Sequence, residues 1–211
     1  MAEEIVLYGF DGSTYVRTVR MLLAEKGADY NQVPVNVLAG EPRQEEHLKR
    51  HPFGKVPVVD HDGMRILETS AITRYLDDVL EGPSFIPDNP KDRARMDMAL
   101  GIMDSYGYDA MVGVAGYYLF PDFIGNPDEA FLESSIETSK LVLSTLMNIR
   151  GDSDYIAGDS PTLADFYVAP VCFYVNLTQD AGKVFDVPGF SDWWERIQQL
   201  ESYRNTEPDL G

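Results

Sequence analysis

Short apolar runs and helical periods take turns along the first eighty residues. Ile5-Val6-Leu7-Tyr8 is a strand-like run that stops at the turn cluster Gly9-Phe10-Asp11-Gly12. From Thr14 the spacing changes: Val16, Val19, Leu22 and Leu23 share a helical face, with Arg17 and Arg20 between them, up to Gly27. Residues 30–37 alternate as a strand, and Pro34, which lacks an N–H, argues for a position at or near a sheet edge. Residues 41–50 are polar and predict a short helix. Residues 56–60 and 64–67, joined by His61-Asp62-Gly63, predict a hairpin. Residues 70–80 predict an amphipathic helix with Ile72, Tyr75, Leu76 and Val79 on one face. The resulting order is β-α-β-α-β-β-α.

After a proline-rich connector, Gly82-Pro83 to Asn89-Pro90, only helical spacing remains. Helices are predicted near 91–117, 129–149, 162–179 and 189–203, with a loop at 121–127. Gly107, Gly113 and Gly116 weaken the first of these by about 1 kcal/mol each against alanine. Thr162-Leu163-Ala164-Asp165 has capping-box spacing, in which the Thr162 hydroxyl takes the Asp165 N–H and Asp165 reaches back toward the Thr162 N–H. The division is therefore residues 1–82 as an α+β domain, 83–90 as a linker and 91–211 as an all-α domain.

The 211 residues suffice for a proper core, and 44% apolar and 11% aromatic residues are globular values. No apolar run approaches the roughly 18 residues of a membrane helix, and the start carries no signal-like segment. The single Cys172 excludes an internal disulfide and makes a reducing cytoplasm the default. The net charge of −18 disfavours nucleic acid and anionic membranes as partners. It divides unevenly, −5 in residues 1–82 and −13 in 83–211.

Residues 51–57 hold the most informative pattern. His51-Pro52-Phe53-Gly54-Lys55-Val56-Pro57 is a Pro-Gly turn, a basic residue and a second proline heading a strand, a place where tight or cis turns occur. Asp62-Gly63 and Glu68-Thr69-Ser70-Ala71-Ile72 follow at hairpin and helix-start spacing. Together these blocks resemble the cytosolic glutathione transferases over essentially the whole chain, with His51 in place of the usual Asn and Thr69 preceding the serine. The resemblance, to the bacterial serine-using (theta-, phi- and delta-like) members, implies a thioredoxin-like domain with a mixed four-stranded sheet, followed by the helical domain.

It also implies the chemistry, in which glutathione is the co-substrate and no metal takes part. The thiolate is the nucleophile, so a thiol pKa near 8.5 must fall by roughly two units, about 2.7 kcal/mol. One hydrogen bond to charged sulfur supplies ~1.5–3 kcal/mol and a helix N-terminus ~0.3–1 more. A single hydroxyl at a helix start is enough. Ser13, between Gly12 and the first helix, is the candidate; Thr14 and the strand-end Tyr8 remain rivals, and helix capping alone is an ordinary use of a serine. By resemblance, Val56 pairs its backbone with the cysteinyl part beside Pro57. Glu68, Thr69 and Ser70 hold the γ-glutamyl end, and Lys55 faces the glycyl carboxylate. A histidine that phi-like members carry after Gly-Glu is replaced here by Pro42, leaving Arg43 or His51 as substitutes. Phe10, Met103, Tyr106, Met111 and Tyr117 are candidates for an electrophile site between the domains, although such residues at helical spacing are more often core.

Other readings compete. His47 and His51, four residues apart, fit metal-ligand spacing, but with no third ligand marked they read as solvated surface. No Cys-x-x-Cys follows the first strand, which argues against dithiol redox chemistry. The leading reading is a detoxifying transferase that conjugates an apolar electrophile, or isomerises or dehalogenates one, as a homodimer. The alternative is a non-catalytic binding or regulatory module of the same fold.

Overall fold

The computed structural model describes residues 4–209. They form two compact units: residues 4–84 together with 200–209, and Phe85–Gln199.

In the first unit, β1 (Val6–Tyr8) lies centrally, parallel to β2 (Asn31–Val33) and antiparallel to β3 (Val58–His61). β3 pairs antiparallel with β4 (Met64–Leu67), giving the order β2-β1-β3-β4. This is the mixed four-stranded sheet of a thioredoxin-like domain. β2 is shorter than its alternation predicts, because the strand ends where Pro34 offers no N–H. Helices α1 (Thr14–Lys26) and α3 (Thr69–Val79) pack on each other. Leu7, Val16, Val19, Leu22, Val58, Val59, Ile72 and Leu76 are all fully buried. A 3₁₀ turn (Glu41–Arg43) and a single-turn helix α2 (Glu45–Leu48) bridge β2 to β3. Across α1 and α3, Lys26 meets Asp77 at 2.9 Å in a buried ion pair.

The sequence assigns everything after residue 90 to the helical half. The structure instead returns residues 200–209 to the first unit. Leu200 leaves the helical path at φ −62°, ψ 132°, and α10 (Glu201–Asn205) packs on α1. The cause is Arg17, 1% exposed, which donates to the Tyr203 carbonyl at 2.7 Å and lies over the Tyr203 ring. A buried guanidinium needs such partners, and Tyr203 and Thr206 supply them.

The second unit consists of α4 (Pro90–Ile102), a π turn (Met103–Gly107), α5 (Tyr108–Leu119), α6 (Glu129–Arg150), α7 (Leu163–Asn176), α8 (Ala181–Phe185) and α9 (Phe190–Gln199). α7 is its core, buried at every position from Leu163 to Val175. The capping box at Thr162 and Asp165 closes as the spacing predicts. The first long helix is broken into two by the π turn, which 3.6-residue spacing does not register. Among the described residues no helix is long and apolar enough to cross a membrane.

Candidate functional site

Ser13 is the N-cap of α1, with extended backbone, and its Oγ accepts the Val16 N–H at 3.4 Å. Its own N–H is tied back to the Phe10 carbonyl, so the turn after β1 delivers the hydroxyl to the helix start. Gly9 makes that turn possible: a Cβ there would stand 2.3 Å from a Val16 methyl. The Ser13 hydroxyl accepts from Val16 but gives its own proton to no described residue. The rivals differ. Tyr8 donates to Asp60 at 3.2 Å, and that carboxylate is gripped twice by Arg65, at 2.7 and 2.6 Å. Hydrogen bonding to Arg65 holds the Asp60 carboxyl below the usual range. Thr14 is buried in the first turn, its hydroxyl without a hydrogen-bond partner among the described residues.

A second cluster surrounds the turn into β3. Val56–Pro57 is cis, as its place at the strand head predicts. Among the described residues, neither backbone polar group of half-buried Val56 has a hydrogen-bond partner, while Pro57 is buried beneath it. His47 fixes the turn, its Nε2 donating to the Lys55 carbonyl at 2.7 Å. Gly54, at φ +61°, lies so close to the Pro42 carbonyl that a Cβ would reach it at 2.7 Å. The Arg43 side chain passes over the same glycine, and both Arg43 and Lys55 are exposed.

The third part is the start of α3. Its N-cap, Glu68, has φ +69° and ψ 124°, an arrangement that costs ordinary residues about 1–3 kcal/mol. No side chain caps the helix there, so the first amides of α3, beside buried Thr69 and half-buried Ser70, are left for an anion. His51 approaches Glu68, Nε2 to Oε1 3.8 Å.

Two expectations change. His47 and His51 are not solvated surface; both lie in the interior of the turn. The electrophile candidates do not converge within the helical unit. Met103 and Met111 are core residues, while Tyr106 is 65% exposed. Tyr117 lines a cavity of about 290 Å³ with Tyr118, Leu132, Ile136 and Asp180, and neither Met103 nor Tyr106 reaches it. Phe10 is half-buried in the first unit. Periodicity does not reveal the Tyr118–Asp180 hydrogen bond (2.7 Å) or the burial that pushes the Tyr118 pKa up. It also misses Arg50, whose guanidinium covers the Tyr8 ring. Each depends on a partner distant in sequence or on depth.

Comparison with known proteins agrees with this layout. Residues 3–78 match the family model "Glutathione S-transferase, N-terminal domain" and residues 107–201 the corresponding C-terminal domain. Glutathione S-transferase F14 of Arabidopsis thaliana is 31% identical over 194 residues, 86% of this chain and 74% of that protein. This chain belongs to the glutathione S-transferase family. A second Arabidopsis relative, glutathione S-transferase F13, is 29% identical over 97% of this chain and 95% of its own. A glutathione S-transferase-I bound with lactoylglutathione superposes at a TM-score of 0.83, 26% identical, over 96% of this chain and 98% of that one. The family match thus spans both units, the three-part cluster lying in the N-terminal match. The relatives are transferases by name, which favours an enzyme over a non-catalytic module of the fold.

Proposed function

We propose that the protein is a phi-like glutathione transferase in which Ser13 turns the bound thiol into a thiolate for attack on an apolar electrophile. The observation that carries the serine assignment is the unspent proton of Ser13. Its oxygen accepts from the α1 backbone, which leaves its O–H to donate to sulfur, whereas the Tyr8 proton goes to Asp60 and the equally unpaired Thr14 hydroxyl is buried. Donation to charged sulfur at the positive end of a helix meets the requirement of about 2.7 kcal/mol derived above.

The tripeptide lies along the cluster in one direction. The cysteinyl part pairs with the unpartnered backbone of Val56, like a strand added to a sheet edge. The γ-glutamyl end takes the Glu68 carboxylate through its ammonium, and its own carboxylate takes the first amides of α3 with Thr69 and Ser70. Lys55 and Arg43 face the glycyl carboxylate, and Phe10 begins the apolar surface for the electrophile. The bound lactoylglutathione of the relative supports a glutathione-type ligand here. Assembly as a homodimer, a cytoplasmic location and a detoxifying role complete the reading.

The test is Ser13→Ala assayed with glutathione and a chlorinated aromatic electrophile. Turnover is expected to fall ~10-fold or more, with glutathione affinity within a few-fold, the value of one charge-assisted hydrogen bond. A loss carried by Thr14→Val or Tyr8→Phe, with Ser13→Ala unaffected, sinks the serine assignment. Wild-type protein that is not retained on immobilised glutathione sinks the ligand assignment.

A further inference from the structure

His51 stands where the family pattern has asparagine, and it is 1% exposed. Its Nδ1 accepts the Phe53 N–H at 3.3 Å. A neutral imidazole carries one N–H, so the ring proton sits on Nε2. Burial above all, with His47 and Lys55 adding to it, holds the His51 pKa below its ordinary value against the opposing pull of Glu68. The ring is therefore uncharged at neutral pH. Nε2 faces Glu68 Oε1 at 3.8 Å.

Glu68 needs such a neighbour. Its backbone is pinned, since its carbonyl accepts the Ile72 N–H at 2.9 Å. Its side chain is 70% exposed and makes no hydrogen bond among the described residues. A glutamate so placed samples several rotamers, and only some point where a ligand ammonium would lie. His47 is no alternative, because its Nε2 is spent on Lys55.

We propose that His51 is a positioning residue, whose Nε2–H holds the Glu68 carboxylate in the rotamer that receives the α-ammonium group of glutathione. This rests on the reading of Glu68 given under the proposed function. The 3.8 Å separation is longer than a hydrogen bond and closes by rotation of the exposed carboxylate. Buried and already bonded at Nδ1, His51 has no donor left for the glycyl carboxylate at the far end of the tripeptide.

A double-mutant cycle separates the two claims. His51→Leu, Glu68→Gln, the pair, and His51→Gln are compared by calorimetric titration with glutathione and by KM and kcat. His51→Leu is expected to weaken glutathione binding about 10-fold, the loss appearing in KM with kcat little changed. It should have no further effect in the Glu68→Gln background, and His51→Gln, which keeps an N–H donor at similar reach, should restore affinity to within a few-fold. Equal losses from His51→Leu in both backgrounds overturn the positioning role while leaving Glu68 in place. Unchanged affinity in Glu68→Gln overturns the reading of Glu68 and the proposal with it. A wild-type measurement covers the case in which the leucine variant does not fold. The chain has only 3 histidines, so the imidazole nitrogens can be assigned by NMR. The His51 Nε2–H signal should move on saturation with glutathione and stay with an analogue lacking the α-amino group. Movement with both, or with neither, overturns the proposal.

Discussion

Asp165 has no exposed surface, and its carboxylate accepts four hydrogen bonds: the Ile156 N–H, the Thr162 N–H and hydroxyl, and the Trp193 indole. Its spacing to Thr162 alone suggests a cap of about 1 kcal/mol. With alanine there, three N–H donors lose their acceptor in a dry site, each at about 1–3 kcal/mol. Asp165→Ala should therefore cost at least ~3 kcal/mol, read from the urea midpoint; a loss near 1 would mean that water replaces the carboxylate. His51 gives a prediction of opposite origin. Its folded pKa lies below the ordinary 6.5, so between the two values the unfolded chain binds more protons. Its contribution to stability is complete above pH 6.5 and is lost as pH falls through that window to the folded value. Melting temperatures at pH 7.5 and 5.5 should differ less for His51→Gln than for wild type, whose acid loss is the larger; equal losses refute it. Neither depth was legible in the sequence. The capping residues were, because a box is local, but Trp193 is 28 positions from Asp165, and the burial of His51 depends on the fold of the whole turn.

At the scale of elements, the glycines of the first long helix change meaning. Spacing alone marks them as weak points. In the structure Gly107 is a packing position: a Cβ would stand 2.7 Å from the Met103 sulfur and 3.0 Å from a Val142 methyl on α6. Gly101, on α4, has nothing within 4 Å and is exposed. The same substitution should then act with opposite sign. Gly101→Ala should stabilise by ~0.5–1 kcal/mol through propensity and chain entropy. Gly107→Ala should destabilise by ~1–3 kcal/mol through overpacking. Chemical denaturation of the two variants decides it, and a stabilised Gly107→Ala would show that the contact relaxes freely. The strands and the hairpin were legible from alternation and turn residues, as was α3 from its apolar face. The π turn was not, since one irregular turn leaves the average spacing nearly unchanged.

At the scale of the molecule, charge bears on assembly. The −18 total means that two copies repel each other at any contact, and most strongly where residues 83–211, with −13, face their own kind. A two-fold pairing of the first unit with the helical unit of the partner is the less repulsive arrangement. Apolar burial must then supply the attraction, and Phe53, 69% exposed on the turn before β3, is suited to it. Salt screens the repulsion, so the proposed homodimer should tighten as ionic strength rises. Sedimentation equilibrium at low and high salt checks this. A monomer at both removes the dimer, and dissociation by salt removes the charge argument.

The return of residues 200–209 to the first unit has a consequence for synthesis. A domain whose residues are contiguous can close as it leaves the ribosome, but this one is interrupted by the whole of Phe85–Gln199. Arg17 is made well before Tyr203 and Thr206, its partners 186 and 189 positions later. The helix that bears Ser13 therefore acquires its final packing only once residues 200–209 have been made. The start of α1 is then among the last parts of this unit to mature, so a truncation near residue 200 is felt at residue 13.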